Sequence, residues 1–329
     1  MSEVNVAVVG VTGMVGQTIL EILEERNFPI ANLIPLASAR SAGEEIEFNG
    51  KNYTIQELKE TTFDENEIDI TFFAGGGSVS EKFIPIATKK GVYAIDNSSH
   101  FRMDEDVPLV VPEVNAQAIQ SDDKILSNPN CSTIQAMVVL KPLLDEFGIK
   151  RVVYNTYQSV SGSGVGGVRD LEEGTTDQYK YSIKKNVLPQ IDVFMDNGYT
   201  KEEMKMMEET NKILENDDIT VTATAVRVPV KNSHAISINL ELGREYDIQE
   251  VRDVLEKAPG VVVYDDIDKE EYPLQEQTDG KDEVYVGRIR RDDSVENGLN
   301  LWCTADNIRK GAATNSVQIA EQILASHFN

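Results

Sequence analysis

One of the two cysteines in this chain lies where a strand is predicted to pass into a helix. Cys131 follows a short apolar run at residues 125–126 and precedes apolar residues at helical spacing. Pro129 and the asparagines beside it favour a turn, so we expect the cysteine on or just before the first helical turn. Unpaired amides and the helix dipole at that position favour a thiolate. A free cysteine is more often a small buried hydrophobe, so this segment alone leaves both roles open.

A histidine and an arginine stand in two predicted strands, whose alternating residues 219–230 and 235–242 are typical of half-buried antiparallel strands. His234 precedes apolar residues at every second position, and Arg227 ends a row of small apolar residues. Both are therefore predicted to face inward, where a charge is costly without a partner. His234 could be a satisfied core histidine or an acid/base group. The partner of Arg227 could be a structural carboxylate or a substrate anion.

A polar helix is predicted at residues 200–214, where Thr200 and Glu203 have the spacing of a capping box. Glu202 and Lys205 are three residues apart in this helix and can form an ion pair. Such a pair is usually solvated at the surface, so its spacing alone assigns it no function.

Three glycines follow the first predicted strand, residues 4–9, and precede apolar residues at helical spacing. Gly10, Gly13 and Gly16 are spaced GxxGxxG rather than the commoner GxGxxG. Backbone amides at such a helix start can meet a pyrophosphate, although a tight strand-to-helix turn also needs glycines. We expect a nucleotide site here.

The second predicted strand indicates which nucleotide would bind. An NAD site usually offers an acidic residue about 20 residues after the glycines, to bind the ribose 2′-hydroxyl. Residues 33–43 contain no acid and carry Ser38, Arg40 and Ser41 instead, which suit a 2′-phosphate. An arginine in an exposed loop is the alternative, but the missing acid favours NADP.

The elements that must position these residues change character along the chain. Predicted strands at residues 4–9, 33–37, 69–74, 92–96 and 109–111 alternate with helical stretches, including residues 80–90. This alternation predicts a doubly wound parallel sheet, and 329 residues favour two domains. After Cys131 we expect further strands at residues 261–264, 284–289 and 299–304 and an amphipathic helix at residues 312–327. The glycine-rich residues 161–167 are predicted to form a flexible loop.

The composition limits the partners. The formal net charge is −25, from 56 acidic and 31 basic residues, which disfavours nucleic acid and anionic membranes. Two cysteines do not make a disulfide framework, the apolar stretches are of strand length, and no leader peptide is recognised. We therefore expect a cytoplasmic protein without a metal site, whose few bases would gather around any anionic substrate.

These residues together resemble the aspartate-semialdehyde dehydrogenase family over nearly the whole chain. The similar motifs are GVTGMVG, LASARSAG, DNSSHFR, VPEVN, NPNCSTIQ, TYQSVSGSG, LPQIDVF, EEMKMMEETNKI, VRVPV followed by SH, and GAATNSVQIAE. The resemblance implies NADP-dependent conversion of L-aspartyl-4-phosphate to L-aspartate 4-semialdehyde and inorganic phosphate. It places this reaction in lysine, threonine and methionine biosynthesis.

The resemblance also implies roles for individual residues. Cys131 is similar to the nucleophile, His234 to the acid/base group and Gln158 to the residue that orients the bound intermediate. Arg227 resembles the residue that grips the substrate carboxylate, and Glu202 the one that meets its amino group. The phosphate-binding set is similar to Arg102, Asn130 and Lys205. Implied cofactor contacts are Gly10, Thr12, Gly13, Met14, Val15, Gly16, Ser38, Arg40, Ser41, Ala74, Gly75, Ser161, Gly162 and Asn315.

For the fold, the resemblance implies an α/β protein with a Rossmann-type doubly wound domain and an α+β domain with a mixed sheet. We expect an NADP-binding domain at residues 1–130, completed by a C-terminal helix at 311–329, and a catalytic and dimerisation domain at 131–310 that forms a homodimer. Residues 167–189 look shorter than in many bacterial members. In the expected mechanism an imidazolium at His234 helps the helix terminus to raise the thiolate fraction of Cys131.

Two other functions remain to be distinguished. An N-acetyl-glutamyl-phosphate reductase shares the fold and the cysteine chemistry, but its usual cysteine context differs from NPNCSTIQ. A silent NADP-binding paralogue would be expected to have lost one of Cys131, Gln158, Arg227 or His234, and all four are present.

Overall fold

The computed structural model describes residues 2–328 and divides the chain into two compact units. One unit takes the chain up to Pro129 and again from Ala312, and the other runs Asn130–Gly311. Each unit has a six-stranded sheet of its own.

The first unit alternates strands and helices as predicted. Its strands are β1 (Val4–Val9), β2 (Ile30–Ala37), β3 (Glu45–Phe48), β4 (Lys51–Thr54), β5 (Gln56–Glu57), β6 (Ile70–Phe73), β7 (Tyr93–Asp96) and β8 (Ile125–Ser127). Its helices are α1 (Met14–Glu25), α2 (Thr62–Glu65), α3 (Gly77–Lys89), α4 (Pro112–Asn115) and the C-terminal helix, α10 in chain order (Thr314–His327).

The main sheet of this unit has the order β5-β2-β1-β6-β7-β8 and every pairing is parallel, while β3 and β4 form a separate hairpin. Val6 and Val8 of β1 pack in one cluster with α1 and α10, and Ala7 and Val9 pack in a second cluster with α3. Both faces of the sheet are therefore covered. The Rossmann-type doubly wound sheet is confirmed, and its order reverses at β1, where such sheets bind ligands.

The strand predicted at residues 109–111 is wrong. Leu109 forms only an isolated parallel bridge with Ser127. The Asn115 side chain accepts a hydrogen bond from Val111 N and donates one to Leu109 O, and so takes backbone groups that a ladder would use. Pro112, which has no N–H to donate, then begins α4.

The second unit is α+β, as predicted. Its strands are β9 (Ile149–Gln158), β10 (Thr220–Arg227), β11 (His234–Leu242), β12 (Val261–Val263), β13 (Val284–Asp292) and β14 (Gly298–Ala305). Its helices are α5 (Cys131–Phe147), α6 (Gly164–Glu173), α7 (Lys201–Leu214), α8 (Ile248–Lys257) and α9 (Gln275–Thr278).

The sheet of the second unit is mixed and has the order β10-β9-β11-β14-β13-β12. β11 runs antiparallel to β9 and β14, as expected. The antiparallel assignment of β10 is wrong, because β10 pairs in parallel with β9. Alternation reports that a strand is half buried and not which way it runs. The chain between β9 and β10 contains α6 and α7, and a helical crossover of this kind returns the next strand in parallel.

The flexible loop predicted at residues 161–167 is also wrong. These residues form a 3₁₀ turn, Val160–Ser163, and the start of α6. A Cβ at Gly167 would lie 2.5 Å from Val160 O and 2.7 Å from the Tyr179 hydroxyl oxygen. The glycine here permits close packing rather than motion.

The C-terminal helix begins at Thr314 rather than at residue 312, because Arg309–Ala313 form a π-helical turn. Its apolar positions are buried as the pattern predicts: Val317, Ile319, Ala320, Ile323 and Leu324. Within residues 2–328 no helix combines the length and apolar character needed to cross a bilayer.

Candidate active site

Cys131 is the first residue of α5, as predicted. The amides expected to be unpaired there are engaged, since Asn130 Oδ1 accepts hydrogen bonds from Ser132 N at 2.9 Å and Thr133 N at 3.4 Å. Asn130 is thus the N-cap of the helix that begins with the cysteine. The helix dipole can still favour a thiolate at Cys131, but the amides of Ser132 and Thr133 are not available to do so, because they donate to Asn130.

Asn130 is held by two carboxylates of α7. Its side-chain Nδ2 donates to Glu202 Oε1 at 2.9 Å, and its backbone N donates to Glu209 Oε2 at 2.7 Å. The first turn of α7 has the predicted capping box between Thr200 and Glu203. Glu209 has no motif-level signal in the sequence beyond its position two helical turns after Glu202, and sequence reasoning missed it.

Glu202 is buried and lies among four polar or charged groups. Its Oε1 also accepts from Gln158 Nε2 at 3.1 Å, and its Oε2 lies 3.2 Å from Lys205 Nζ, which also contacts Asp192. Burial alone would raise the pKa of Glu202, but Lys205, the bonds from Asn130 and Gln158, and the charge of Arg227 hold that pKa below its ordinary value. The carboxylate is therefore ionised at neutral pH, and the Glu202–Lys205 pair is not a solvated surface pair.

His234, the first residue of β11, is fully buried. Its Nδ1 accepts a hydrogen bond from Ser159 N at 3.1 Å, which assigns the remaining proton of the neutral ring to Nε2. Within the described chain, Nε2 has no hydrogen-bond partner. Burial, and then the charge of Arg227, lower the pKa of His234 well below its ordinary value. The imidazolium expected from the sequence is therefore wrong for this state, and His234 is a neutral ring with a free Nε2–H.

Arg227 ends β10 beside Gln158, which ends β9. Its Nη1 donates to Ser159 O at 2.6 Å, and its Nε has no partner among residues 2–328. A Cβ on Gly162 would lie 2.9 Å from Arg227 Nη1 and 3.4 Å from His234 Nε2, so the glycine allows the backbone of residue 162 to lie close to both groups. A buried guanidinium with an unused donor is suited to an anion.

Further residues lie against these groups. Gln135, one turn after Cys131 in α5, has Nε2 3.4 Å from His234 O. A Cβ at Gly311 would lie 2.9 Å from Cys131 Cβ. Ser159 Oγ lies 3.1 Å from His234 Nδ1 and 3.0 Å from Asn307 Oδ1, and Asn307 also bonds Ser161. Ser159, Asn307 and Gly311 were not identified from the sequence, where they look like ordinary polar or turn residues.

The structure thus brings six of the predicted catalytic and substrate residues together in the second unit: Cys131, His234, Gln158, Asn130, Glu202 and Arg227, with Lys205 bound to Glu202. Arg102 belongs to the first unit. There it is buried, and it donates from Nε to Asn128 O at 2.9 Å and from Nη2 to Asn97 O at 3.2 Å.

The glycine loop of the first unit is built for a close backbone approach. Gly10 has φ of 80°, and a Cβ there would lie 2.6 Å from Ala74 O. A Cβ at Gly16 would lie 2.3 Å from Gly10 O. Gly13 is the N-cap of α1 and offers no side-chain cap, so the first amides of the helix have no side-chain acceptor there. This cradle fits an anionic pyrophosphate.

The other predicted nucleotide contacts differ in their surroundings. Ser38, Arg40 and Ser41 follow β2 in a turn closed by Ser41 N and Ser38 O at 3.0 Å, and Arg40 is exposed. Thr12, Met14 and Val15 line the glycine loop, and Gly75 follows Ala74 after β6. Asn315 is buried, and its Nδ2 donates to Val110 O and to Asn128 Oδ1. Ser161 and Gly162 belong to the second unit.

Comparison with known proteins gives matches over both units. Two family models match: the NAD binding domain of semialdehyde dehydrogenase at residues 5–122 and the dimerisation domain of semialdehyde dehydrogenase at residues 140–310. The aspartate-semialdehyde dehydrogenase of Shewanella sp. (strain DB6705) is 52% identical over 99% of each chain. The crystal structure of aspartate semialdehyde dehydrogenase II of Vibrio cholerae complexed with ASA has a TM-score of 0.95 at 46% identity, with both chains fully covered. That of Candida albicans with NADP has a TM-score of 0.79 at 25% identity, covering 98% and 99% of the two chains.

Proposed function

This chain belongs to the aspartate-semialdehyde dehydrogenase family, and we propose that it reduces L-aspartyl-4-phosphate to L-aspartate 4-semialdehyde with NADPH, through a thioester on Cys131. The enzyme is an oxidoreductase acting on an aldehyde. The observation that carries the proposal is the position of Cys131 at the start of α5, in a cluster with ionised Glu202, neutral His234 and the unpaired donor of Arg227.

The chemistry begins at the sulfur. Cys131 attacks the acyl carbonyl, inorganic phosphate leaves with the electron pair of the broken C–O bond, and a thioester remains. The neutral ring of His234 carries its proton on Nε2, and this Nε2–H donates a hydrogen bond to the oxygen that becomes negative. Hydride transfer to the thioester carbon leaves a hemithioacetal on Cys131, and when its C–S bond breaks the aldehyde is released and the thiolate returns. The reduced nicotinamide, when bound, supplies the hydride.

Substrate recognition divides among the charged residues. Arg227 binds the α-carboxylate with its unused donor, and Glu202 meets the α-ammonium. Lys205, Asn130 and Arg102 bind the phosphate, while Gln158 orients the acyl group. The cluster supports this assignment because it offers a buried cation and a buried anion within one acidic chain of net charge −25.

NADP is the proposed cofactor. The cradle at Gly10, Gly13 and Gly16 would hold the pyrophosphate, and Arg40 with its flanking serines would bind the 2′-phosphate. Ser161, Gly162 and Asn315 would contact the nicotinamide end. The related enzyme from Candida albicans is known with NADP, which supports the same choice here.

We also propose a homodimer. α5 packs on one face of the second sheet, whereas Tyr157 on the opposite face is 38% exposed beside Trp302. A dimerisation-domain model matches this unit. Light scattering should give twice the mass of the chain, and a monomer at micromolar concentration would refute the dimer.

We propose that the first unit is the nucleotide-binding domain and the second the catalytic domain. The enzyme would act in the cytoplasmic synthesis of lysine, threonine and methionine.

The function is tested in the reverse direction. Purified protein is mixed with aspartate semialdehyde, inorganic phosphate and NADP, and the absorbance of the reduced cofactor is followed. We expect phosphate-dependent turnover that disappears in Cys131→Ala. Turnover that survives the substitution, or turnover that does not require phosphate, would sink the proposal.

The same assay separates the alternatives. An N-acetyl-glutamyl-phosphate reductase would accept an N-acetylated semialdehyde, whereas Glu202 requires a free ammonium. A silent NADP-binding paralogue would bind the nucleotide and give no turnover with either substrate.

A further inference from the structure

One side of α7 faces the residue that precedes Cys131. Glu202 and Glu209 are seven residues apart, which is two helical turns, so their side chains lie on the same side of the helix. Glu202 takes the side-chain amide of Asn130, and Glu209 takes its backbone N–H. Glu209 is only 1% exposed and Glu202 only 5%. Two buried carboxylates of one helix therefore grip a single asparagine.

The remaining polar groups of Asn130 are also used. Its Oδ1 caps α5 through Ser132 N and Thr133 N, and its carbonyl oxygen accepts the first helical bond, from Ile134 N at 2.9 Å. The cap of α5 is thus complete without Glu209. The first turn of α7 has a cap of its own in Thr200 and Glu203. The bond from Asn130 N to Glu209 Oε2 therefore belongs to neither helix cap, and it holds the backbone directly before Cys131.

We infer that Glu209 is a positioning residue for Cys131, acting through the backbone N–H of Asn130. The inference rests on the proposed role of Cys131 as nucleophile. The bond fixes the backbone just before the cysteine, and the Glu202 bond fixes the side chain of the same asparagine. Because both anchors come from one rigid helix, the sulfur is held at a set distance from the carboxylate proposed to bind the substrate ammonium.

The geometry matters because the reacting atoms must meet within a narrow range of distance and angle. A displacement of about 1 Å caused by a residue away from the chemistry can cost about a hundredfold in rate. The acceptor at position 209 is what the proposal requires, so glutamine, which keeps an acceptor oxygen at the same reach, should replace glutamate. Leucine has a similar size and no acceptor.

The test compares Glu209→Leu and Glu209→Gln with a matched control, Glu203→Leu. Glu203 lies on the same helix, is similarly buried and accepts two backbone N–H groups, from Thr200 and Ala225, but does not touch Asn130. The measurements are the rate of Cys131 alkylation by iodoacetamide without substrate, kcat, KM for NADP and the melting temperature. Cys303 is fully buried and does not compete for the reagent.

We expect Glu209→Leu to change the alkylation rate and to lower kcat about tenfold or more while KM for NADP stays within about twofold. Glu209→Gln should restore both rates. Glu203→Leu should lower the melting temperature as much as Glu209→Leu does, but it should leave the rate of Cys131 alkylation within about twofold of the wild-type rate. If the leucine variant does not fold, Glu209→Asp makes the same comparison, because it shortens the reach by one methylene and should mimic the loss.

Three results would overturn the inference: wild-type alkylation and kcat in Glu209→Leu, equal changes in Glu203→Leu, or no rescue by glutamine. The alkylation readout needs no turnover. An alkylation effect in a protein that does not oxidise aspartate semialdehyde would therefore defeat the proposed function and leave the positioning intact.

Discussion

Asp170 is a buried carboxylate of α6 whose contribution to stability can be worked out from its contacts. It accepts four hydrogen bonds: from the Thr175 hydroxyl at 2.6 Å and from the backbone N of Asp177, Gln178 and Tyr179 at 3.0, 2.9 and 2.9 Å. These bonds fold the chain after α6 so that the Tyr179 hydroxyl donates to Ser163 Oγ at 2.9 Å. Asp170 therefore orders the segment that packs against the turn containing Ser161 and Gly162.

The magnitude follows from the pKa of Asp170. Burial alone would raise this pKa, but the bonds from Thr175 and the three amides lower it from 3.8 to about 2. At about 1.4 kcal/mol per pKa unit, the ionised form contributes at most about 2.5 kcal/mol, and allowing for solvent screening, about 1–2 kcal/mol. Because the folded-state pKa lies below the unfolded value, this contribution is complete above about pH 4 and is lost as the pH falls through about 2.

Asp170→Asn removes the contribution at neutral pH and turns an amide donor toward backbone donors. The single tryptophan, Trp302, lies in the same unit, so its fluorescence reports the melting of that unit. We expect the melting temperature at pH 7 to fall by about 3–6 °C. The control is Asp177→Asn, whose side chain is exposed and paired with Arg169, and which should melt within about 1 °C of the wild type.

The difference between the wild type and Asp170→Asn should stay constant from pH 7 to about pH 4 and shrink as the pH is lowered from about 4 towards about 2. Acid protonates many other carboxylates in both proteins, so the difference isolates position 170. Equal melting temperatures at pH 7, or a gap that stays constant or grows below about pH 4, would refute the reasoning.

Three other changes test the site and the cofactor cradle. Gly162→Ala adds a Cβ 2.9 Å from Arg227 Nη1 and should displace the guanidinium, so KM for aspartate semialdehyde should rise about tenfold with a smaller change in KM for NADP. Equal changes in the two constants would contradict an effect through Arg227. Arg40→Ala should raise KM for NADP about tenfold and leave activity with NAD unchanged, whereas a parallel loss with both cofactors would remove Arg40 from the 2′-phosphate site. Gly311→Ala adds a Cβ 2.9 Å from Cys131 Cβ and should slow alkylation of Cys131 severalfold; alkylation at the wild-type rate would show that the sulfur does not depend on this contact.

The sequence predicts the elements better than it predicts their pairing. Periodicity identifies β10 because one side of it is buried, but its direction depends on the helical crossover from β9. The glycines of residues 161–167 indicate flexibility by composition, although Gly167 is needed for contact with Val160 and Tyr179. Leu109 has the residue type of a strand, but its carbonyl oxygen accepts a hydrogen bond from the Asn115 side chain, a contact that no local pattern contains.

The same limit applies to the site. Cys131 and His234 can be recognised in the sequence as candidate site residues, because the local pattern places Cys131 at the start of a helix and His234 at the start of a strand. The protonation state and the tautomer of His234 cannot be predicted from the sequence. Its pKa depends on burial and on the charge of Arg227, and its tautomer depends on the hydrogen bond from Ser159 N. Glu209 and Asn130 meet across 79 residues of chain, so their bond depends on tertiary packing alone.

The central claim is that Cys131 carries the acyl group, and trapping that group tests it most directly. The protein is mixed with aspartate semialdehyde and NADP without phosphate, quenched in acid and analysed by peptide mass spectrometry, while the reduced cofactor is followed by absorbance. We predict a burst of reduced cofactor stoichiometric with the chain and an aspartyl adduct on the peptide containing Cys131, which added phosphate discharges. An absent burst, or an adduct on Cys303 or on neither cysteine, would contradict the account.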